Sequence, residues 1–365
     1  MQSETSLPAE LRLAADNSAI ADVAAAIASA SVIALDTEFV REKTYFPELC
    51  LIQIATPELI ACADCLPPVD TTALTTALSS SGKRWVLHSA RQDLEVIWNL
   101  AGRLPDGLID TQIAGALLGM APQLSLQNLL EETLGIKIEK DQTRALWNRR
   151  PLPEAALDYA LNDVRHLLSA WAVLEARLAA AERLAWFEEE CSRLLAADPI
   201  PSAASLLERM RGVGNLKTHQ RRAALALVDW REQKAQRRDR PRRWILGDDV
   251  LIKIARACPE DRTRLARVDG VTERLVERRG SELVAVIASA DELDLPASLA
   301  EATSTRSVDK ARIKALQAEI RKRAEDLGIA AELLATRRDI SAIEAGRPPD
   351  NLLNGWRANL LADLL

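Results

Sequence analysis

The sequence predicts an α/β domain followed by all-helical domains. Short apolar runs typical of buried strands are concentrated between residues 31 and 110, whereas the apolar spacing beyond residue 110 is helical. Hydrophobic residues make up 48% of the chain but aromatic residues only 4%, and the abundance of Ala and Leu indicates a largely helical protein. Because 365 residues are too many for one ordinary domain, two or three domains are expected.

The first domain is predicted to contain four strands, each a short apolar run bounded by polar residues or proline. Further along, Asp110 and Ser125 are predicted to cap two successive helices, because both side chains accept hydrogen bonds from free backbone N–H groups. A long helix is predicted from about Glu154 towards Leu195. The predicted strands are Ser31–Phe39, Leu49–Ala55, Glu58–Cys62 and Arg84–His88.

The strand Ser31–Phe39 carries two carboxylates near its end, Asp36 and Glu38. Side chains at positions i and i+2 of a strand point to the same face, so the two carboxylates converge. They repel each other, and one keeps its proton unless a cation such as Mg²⁺ or Mn²⁺ offsets the charge. Acidic residues at strand ends are usually plain surface features. The pair therefore predicts a metal site only together with further carboxylates.

Asp93 is a third candidate, because it lies at or just inside a helix that follows the strand Arg84–His88. Open α/β sheets place ligand-binding groups at such strand ends. The alternative role of Asp93 is to stabilise the positive N-terminal end of that helix. His88, at the end of the same strand, is interpreted as a packed histidine.

Tyr159 and Asp163 complete the set of candidates. They are four residues apart on the predicted long helix and therefore share one stripe of its surface. Asp163 lies among Ala, Leu and Val, so its carboxylate needs a partner, and Tyr159 can place its hydroxyl beside it. For Tyr159 alone, packing in the core with a satisfied hydroxyl is the usual explanation.

Taken together, these segments resemble the three exonuclease blocks of the DEDD superfamily, in the subgroup that has a tyrosine four residues before the last aspartate. Within that subgroup the chain is similar to the ribonuclease D family. The resemblance covers about the first 170 residues, and its matching segments are Leu35–Arg41, Tyr45–Pro47, His88–Glu95, Asp110–Gln112 and Tyr159–Val164.

The resemblance implies an RNase H-like domain in which helices flank a mixed sheet, and a two-metal-ion mechanism that releases 5′ mononucleotides from 3′ ends. Mg²⁺ or Mn²⁺ ions about 3.5–4 Å apart would activate water, stabilise the leaving oxygen and neutralise charge. Asp36 would bridge both ions, Glu38 and Asp163 would complete the ion that binds the nucleophile, and Asp93 would act mainly on the other. Tyr159 would orient the attacking water, since an unshifted phenol is protonated at neutral pH.

The second half of the chain resembles the HRDC domain that follows ribonuclease D cores. The segment from Arg209 to Arg243 contains twelve Lys or Arg residues and three acidic residues. Its net charge is therefore +9, whereas the net charge of the whole chain is −6. A solvated helix face explains such a run on its own, but HRDC domains resemble nucleic-acid-binding modules, so this run is predicted to contact an RNA backbone. The predicted domains are 1–200, 203–290 (HRDC) and 296–365, a C-terminal HRDC-like helical block.

The remaining sequence features predict a cytoplasmic protein. The start of the chain lacks the pattern of a signal peptide, and no stretch reaches the ~20 apolar residues of a membrane span. Five cysteines, odd in number and mostly scattered, fit a reducing compartment. No membrane association and no obligate protein partner are predicted.

Three functions remain open on the sequence. The first is a 3′→5′ exoribonuclease acting on structured RNA with a short 3′ tail, tRNA precursors above all. The second is a 3′→5′ DNA exonuclease with the same site, because the contacts that recognise a 2′ hydroxyl cannot be read from the residues. The third is a non-catalytic RNA-binding protein, against which the complete set of acidic residues argues.

Overall fold

The computed structural model describes residues 8–138, 145–300 and 309–365. The chain forms two compact units. Each unit has its own hydrophobic core. The first unit comprises Met1–Val40, Leu49–Pro199 and Val308–Leu365, and the second comprises Arg41–Glu48 and Ile200–Ser307. Both units are therefore built from stretches that are separated in the chain.

A six-stranded sheet forms the centre of the first unit. Its strands are β1 (Ala9–Ala14), β2 (Val32–Val40), β3 (Glu48–Ala55), β4 (Leu59–Asp64), β5 (Arg84–Leu87) and β6 (Gly107–Asp110). They lie in the order β1-β4-β3-β2-β5-β6. β1 is parallel to β4, β2 to β5 and β5 to β6, whereas β3 is antiparallel to β4. The sheet is mixed, which confirms the predicted α/β class.

Two strands, β1 and β6, were not predicted. β1 contains Glu10 and Arg12 and is mostly half-buried or exposed, so its apolar pattern is weak. β6 has only four residues and runs directly into a helix capped by Asp110, which dominates the local pattern. A short strand with few apolar residues can be identified only from its pairing with neighbouring strands. A local sequence pattern does not contain this pairing.

Among the residues described up to Pro199, eight helices alternate with the strands or follow the last of them. The predicted long helix from Glu154 is wrong as a single helix, because the backbone at His166 (φ −113°, ψ 0°) leaves the helical conformation and a second turn follows Ala180. The caps predicted at Asp110 and Ser125 are confirmed. The helices are α1 (Asn17–Ser29), α2 (Thr72–Leu78), α3 (Arg91–Ala101), α4 (Thr111–Leu117), α5 (Leu126–Leu134), α6 (Glu154–Arg165), α7 (Leu167–Ala180) and α8 (Leu184–Ala196).

The second unit is helical and is organised around its longest helix, α10. The core residues Leu227 and Trp230 of α10 pack with Leu251 of the neighbouring helix α12. This unit confirms the predicted helical region after the α/β domain. Its helices are α9 (Ala203–Glu208), α10 (Thr218–Arg238), α11 (Arg242–Ile245), α12 (Asp248–Ala257), α13 (Arg262–Ala266), α14 (Glu273–Ala288) and α15 (Ala297–Ala300).

Arg41–Glu48 packs within this second unit through the buried side chain of Tyr45. The Tyr45 hydroxyl lies 2.9 Å from Glu232 Oε2 and 3.0 Å from donors of Gln236 and Arg242. The carboxylate of Asp239 accepts hydrogen bonds from the backbone N–H groups of Tyr45 and Phe46. These polar contacts fix the segment that directly follows β2.

The C-terminal helices share the core of the first unit. Ile320 and Leu334 are buried in that core, and the Trp356 ring stacks on Trp186 of α8 at 4.6 Å between centroids. Helical periodicity shows which face is apolar but not what covers it. The predicted domain boundaries 1–200, 203–290 and 296–365 stay predictions. The helices are α16 (Lys310–Leu327), α17 (Ala331–Leu334), α18 (Arg337–Glu344), α19 (Asp350–Leu353) and α20 (Trp356–Leu361).

Within the described ranges, none of the helices combines the length and the apolar character that crossing a membrane requires.

Candidate active site

Three of the predicted carboxylates meet above the sheet. β2 presents Asp36 and Glu38 on one face, and α6, which packs over β2 and β4, brings Asp163 to them. One carboxylate oxygen from each residue lies within 4.8 Å of the other two. Because strand alternation fixes the pair on β2 and helix packing fixes Asp163, the sheet and the helix together create the cluster.

Asp93 is the fourth predicted carboxylate, and it lies on the helix that follows β5, the strand next to β2. It lies in the first turn of α3, directly after β5, and is buried. Its Oδ1 accepts a 2.6 Å hydrogen bond from the hydroxyl of Thr37, the residue between Asp36 and Glu38. Asp93 is not one of the three residues whose oxygens meet within 4.8 Å, but its charge acts on Asp36.

The Tyr159 side chain lies one helical turn before Asp163 on α6, and each of the two groups acts on the pKa of the other. Burial, together with the charges of Asp163, Glu38 and Asp36, raises the pKa of Tyr159 far above its ordinary value, so the phenol keeps its proton. On its other side, the ring packs near Trp147 at 6.2 Å between centroids. The structure thus brings Tyr159 to the carboxylates as the sequence predicts.

Burial and mutual repulsion raise the pKa of every carboxylate in this group. Burial, followed by the charges of Asp93 and Asp163, raises the pKa of Asp36 well above its ordinary value. The pKa of Glu38 rises to about 8, mainly through burial and then through Asp163 and Asp93. Burial likewise raises the pKa of Asp163 to about 7 and that of Asp93 to about 6. A set of crowded donors that are all oxygen fits a hard divalent cation.

Gln53 is a polar residue of the site region that the sequence analysis did not single out. It is fully buried on β3, and neither polar atom of its side-chain amide has a hydrogen-bond partner among the described residues. It stands opposite Cys62 of β4, and burial raises the pKa of the Cys62 thiol to about 12, with Asp163 and Asp36 among the charges acting on it. Because cross-strand neighbours share a face, Gln53 lies on the same face of the sheet as Cys62.

Two residues that the sequence analysis interpreted as structural have structural contacts. The ring nitrogens of His88 lie 2.9 Å from Thr111 Oγ1 and 2.9 Å from the carbonyl oxygen of Leu124. Asp110 caps α4 and also accepts hydrogen bonds from the backbone N–H groups of Ser89 and Ala90. Asp110 thereby holds the turn that leads into α3 and Asp93.

Comparison with known proteins identifies the family. The chain matches the family model described as a 3′-5′ exonuclease over residues 11–179 and that of the HRDC domain over residues 220–287. It is 36% identical over 366 aligned residues to ribonuclease D of Zymomonas mobilis, covering 95% of this chain and 91% of that protein. The chain belongs to the ribonuclease D family.

Further members of the ribonuclease D family agree with this assignment. The protein of Gluconacetobacter diazotrophicus is 35% identical over 343 residues, with 91% of this chain and 86% of that protein covered. The crystal structure of Escherichia coli RNase D, described as an exoribonuclease involved in structured RNA processing, matches with a TM-score of 0.82 and 30% identity. That match covers 98% of this chain and 96% of the Escherichia coli chain.

Membership of this family confirms the predicted enzyme class, a hydrolytic 3′→5′ exoribonuclease, and the predicted α/β exonuclease and HRDC folds. The DEDD exonuclease fold and the acidic cluster together imply divalent metal ions and a two-metal mechanism. RNA is the substrate class of the family.

Proposed function

We propose that this ribonuclease D-family enzyme trims the 3′ ends of structured RNA, tRNA precursors above all, and releases 5′ mononucleotides. The observation that carries the proposal is the Asp36–Glu38–Asp163 cluster, beside which Tyr159 lies one helical turn before Asp163 on α6. A phosphodiester at a 3′ end offers the anionic oxygens that a metal-loaded cluster of this kind binds.

The four carboxylates bind the metal ions in the proposed reaction. Asp36, Glu38, Asp93 and Asp163 hold two divalent ions, either Mg²⁺ or Mn²⁺, both of which prefer oxygen ligands. When bound, the two ions supply an activated water, a stabilised 3′ leaving oxygen and neutralised charge on the phosphate. Asp36 is central, because the charges of Asp93, Asp163 and Glu38 all act on it.

Tyr159 orients the water that attacks the phosphate. Its raised pKa keeps the phenol protonated, so it acts as a hydrogen-bonding group and not as a strong base. Its place on α6, one turn before Asp163, and the packing of its ring near Trp147 limit where the hydroxyl points. A fixed donor beside the reacting phosphate reduces the freedom of the water before the bond breaks.

Exposed cations support RNA as the partner. Of the basic run in the second unit, Arg221 and Arg231 are buried, and Arg222, Lys234 and Arg242 are partly buried, which leaves fewer free charges than the sequence suggests. The remaining cations are exposed, and we place the RNA-contacting surface of the HRDC domain on them. They are Arg209, Arg211, Lys217, Arg237, Arg238, Arg240 and Arg243.

α16 offers a second set of cations in the first unit. None of the five has an acidic partner among the described residues, and several lie near the positive N-terminal end of the helix, where cations destabilise it. This unfavourable placement supports a polyanionic partner for α16 as well. The five exposed residues are Lys310, Arg312, Lys314, Arg321 and Lys322.

The cytoplasm is the proposed location. The five cysteines form no disulfide with one another, as expected in a reducing compartment, and RNA precursors are available there.

The test is a time course with a 5′-labelled, 3′-extended tRNA precursor and a 5′-labelled DNA oligonucleotide, each with Mg²⁺ or Mn²⁺. Stepwise shortening of the RNA that stops near the mature end, and is lost in Asp163→Asn, is the expected result. Preference for DNA would reject RNA trimming, and absence of cleavage with both metals would reject catalysis.

A further inference from the structure

Thr37 makes a contact across the sheet that its position in the strand would not suggest. Strand alternation points Thr37 away from the face that carries Asp36 and Glu38. Its side chain is nevertheless buried, and its hydroxyl donates a hydrogen bond to Asp93 Oδ1 at 2.6 Å. Only 6% of Thr37 and 7% of Asp93 is exposed, so water does not compete strongly for this bond.

This hydrogen bond fixes the orientation of the Asp93 carboxylate. A carboxylate on a flexible side chain can turn and present either oxygen. The bond from Thr37 to Oδ1 restricts this rotation and holds the carboxylate in one orientation. The charge of Asp93 already acts on Asp36, so a small rotation of this group changes the field at the centre of the cluster.

The backbone of Asp93 is held as well. Asp110 accepts hydrogen bonds from Ser89 N at 3.1 Å and from Ala90 N at 2.8 Å, in the turn that starts α3. Asp110 therefore sets where α3 begins, and Thr37 sets how the side chain of Asp93 is turned. Removing Asp110 would also uncap α4, whereas the contribution of Thr37 can be tested by a single hydroxyl group.

We propose that Thr37 is a positioning residue for the metal site, an inference that rests on the proposed function. Its hydroxyl holds the Asp93 carboxylate in the orientation in which it would serve one of the two divalent ions. Partners that orient a metal ligand by hydrogen bonding contribute about 10–100-fold to metal affinity. The alternative is that the bond only satisfies a buried hydroxyl and has no effect on metal binding.

The experiment compares Thr37→Val, which keeps the shape but loses the hydroxyl, with Thr37→Ser, which keeps the hydroxyl. Thr111→Val is the matched control, because Thr111 is fully buried and its hydroxyl donates to the Leu87 carbonyl at 3.0 Å, not to a carboxylate. Mg²⁺ binding to the RNA-free proteins is measured by titration calorimetry, and thermal unfolding in EDTA confirms that each variant is folded.

Thr37→Val is expected to bind at least one Mg²⁺ about tenfold more weakly, with Thr37→Ser close to wild type and Thr111→Val unchanged in affinity. Raising Mg²⁺ should restore cleavage by Thr37→Val, because only the affinity is lowered. The proposal would be overturned if Thr37→Val bound Mg²⁺ as tightly as the wild type, or if Thr37→Ser and Thr37→Val were weakened equally. In either case the proposed function would stand as long as the wild-type protein cleaves RNA. A wild type that neither binds Mg²⁺ nor cleaves RNA would overturn both.

Discussion

Two groups of buried carboxylates in the first unit have opposite surroundings. At the active site, burial and neighbouring carboxylates raise the pKa of Glu38 to about 8. Burial also acts to raise the pKa of Glu190 on α8, but hydrogen bonds and charge from Arg357, a bond from Trp356 and the charge of Arg193 lower it below its ordinary value. Arg357 and Glu190 form an ion pair that is almost fully buried.

The difference separates a structural cluster from a functional one. Glu190 has its counter-charge within the protein, so that cluster is complete and joins α8 to α20. The carboxylates near Asp36 raise one another's pKa, so the charge that completes them must come from a bound cation. Four predictions test this contrast, from the largest effect to the smallest.

Removing a site carboxylate should eliminate activity without loss of stability. Asp36→Ala or Asp163→Asn should reduce RNA hydrolysis by about 10³-fold or more. The metal-free unfolding free energy should not fall, because each change relieves repulsion. Glu190→Gln is the matched control and should retain activity per folded molecule. Single-turnover cleavage and urea unfolding measure the two quantities, and wild-type turnover in either site variant contradicts the assignment.

Arg357→Met should have the reverse effect. It leaves Glu190 buried without its main partner, so the unfolding free energy should fall by about 3–5 kcal/mol. Arg103→Met is the control, because Arg103 pairs with Asp106 at the surface and should cost less than about 1 kcal/mol. Urea unfolding compares the two variants. Similar midpoints for both would show that the Glu190 cluster does not stabilise the unit.

The stability of the metal-free protein should fall as the pH rises. The pKa values of Glu38 (about 8), Asp163 (about 7) and Asp93 (about 6) exceed those of unfolded carboxylates, near 4. The folded state therefore binds more protons between about pH 4 and 8, and the unfolding free energy decreases through this window. Mg²⁺ replaces these protons, so its effect on Tm should be larger at pH 8 than at pH 6. An equal shift at both pH values would contradict this account.

The smallest effect concerns the exposed cations of the HRDC domain. Replacing Arg237, Arg238 and Arg243 by Gln should weaken binding of structured RNA and flatten its salt dependence by about 0.7–0.9 in slope for each lost phosphate contact. Cleavage of a short unstructured oligonucleotide should change little. Binding measured across a salt series provides the slope, and an unchanged slope rejects these arginines as RNA contacts.

The sequence predicts this site better than it predicts the surroundings of the site. The strand period relates Asp36 to Glu38 and the helix period relates Tyr159 to Asp163, whereas only the resemblance to the DEDD exonucleases joins the two pairs into one site. Thr37 and Gln53 could not be predicted, since their importance depends on burial and on partners from distant segments. The roles of the five site residues in the reaction stay predictions.

Charge and domain order show the same limit. A count of basic residues treats Arg221 and Arg231 as surface charges, whereas both are buried, Arg221 against backbone carbonyls and Arg231 against Asp248. Periodicity likewise shows the apolar faces of the C-terminal helices but not that they join the core of the first unit. Both facts depend on long-range contacts, which local patterns do not contain.

The interleaving of the two units has a consequence for synthesis. Ile200–Ser307 lies in the chain between the two larger parts of the first unit, whose core includes Trp356 and Leu361. At a translation rate of about 5–20 residues per second, roughly 5–20 seconds pass between the synthesis of Pro199 and the synthesis of α16. During this interval Trp186 of α8 lacks the Trp356 ring that stacks on it, and this apolar surface is accessible to chaperones and proteases.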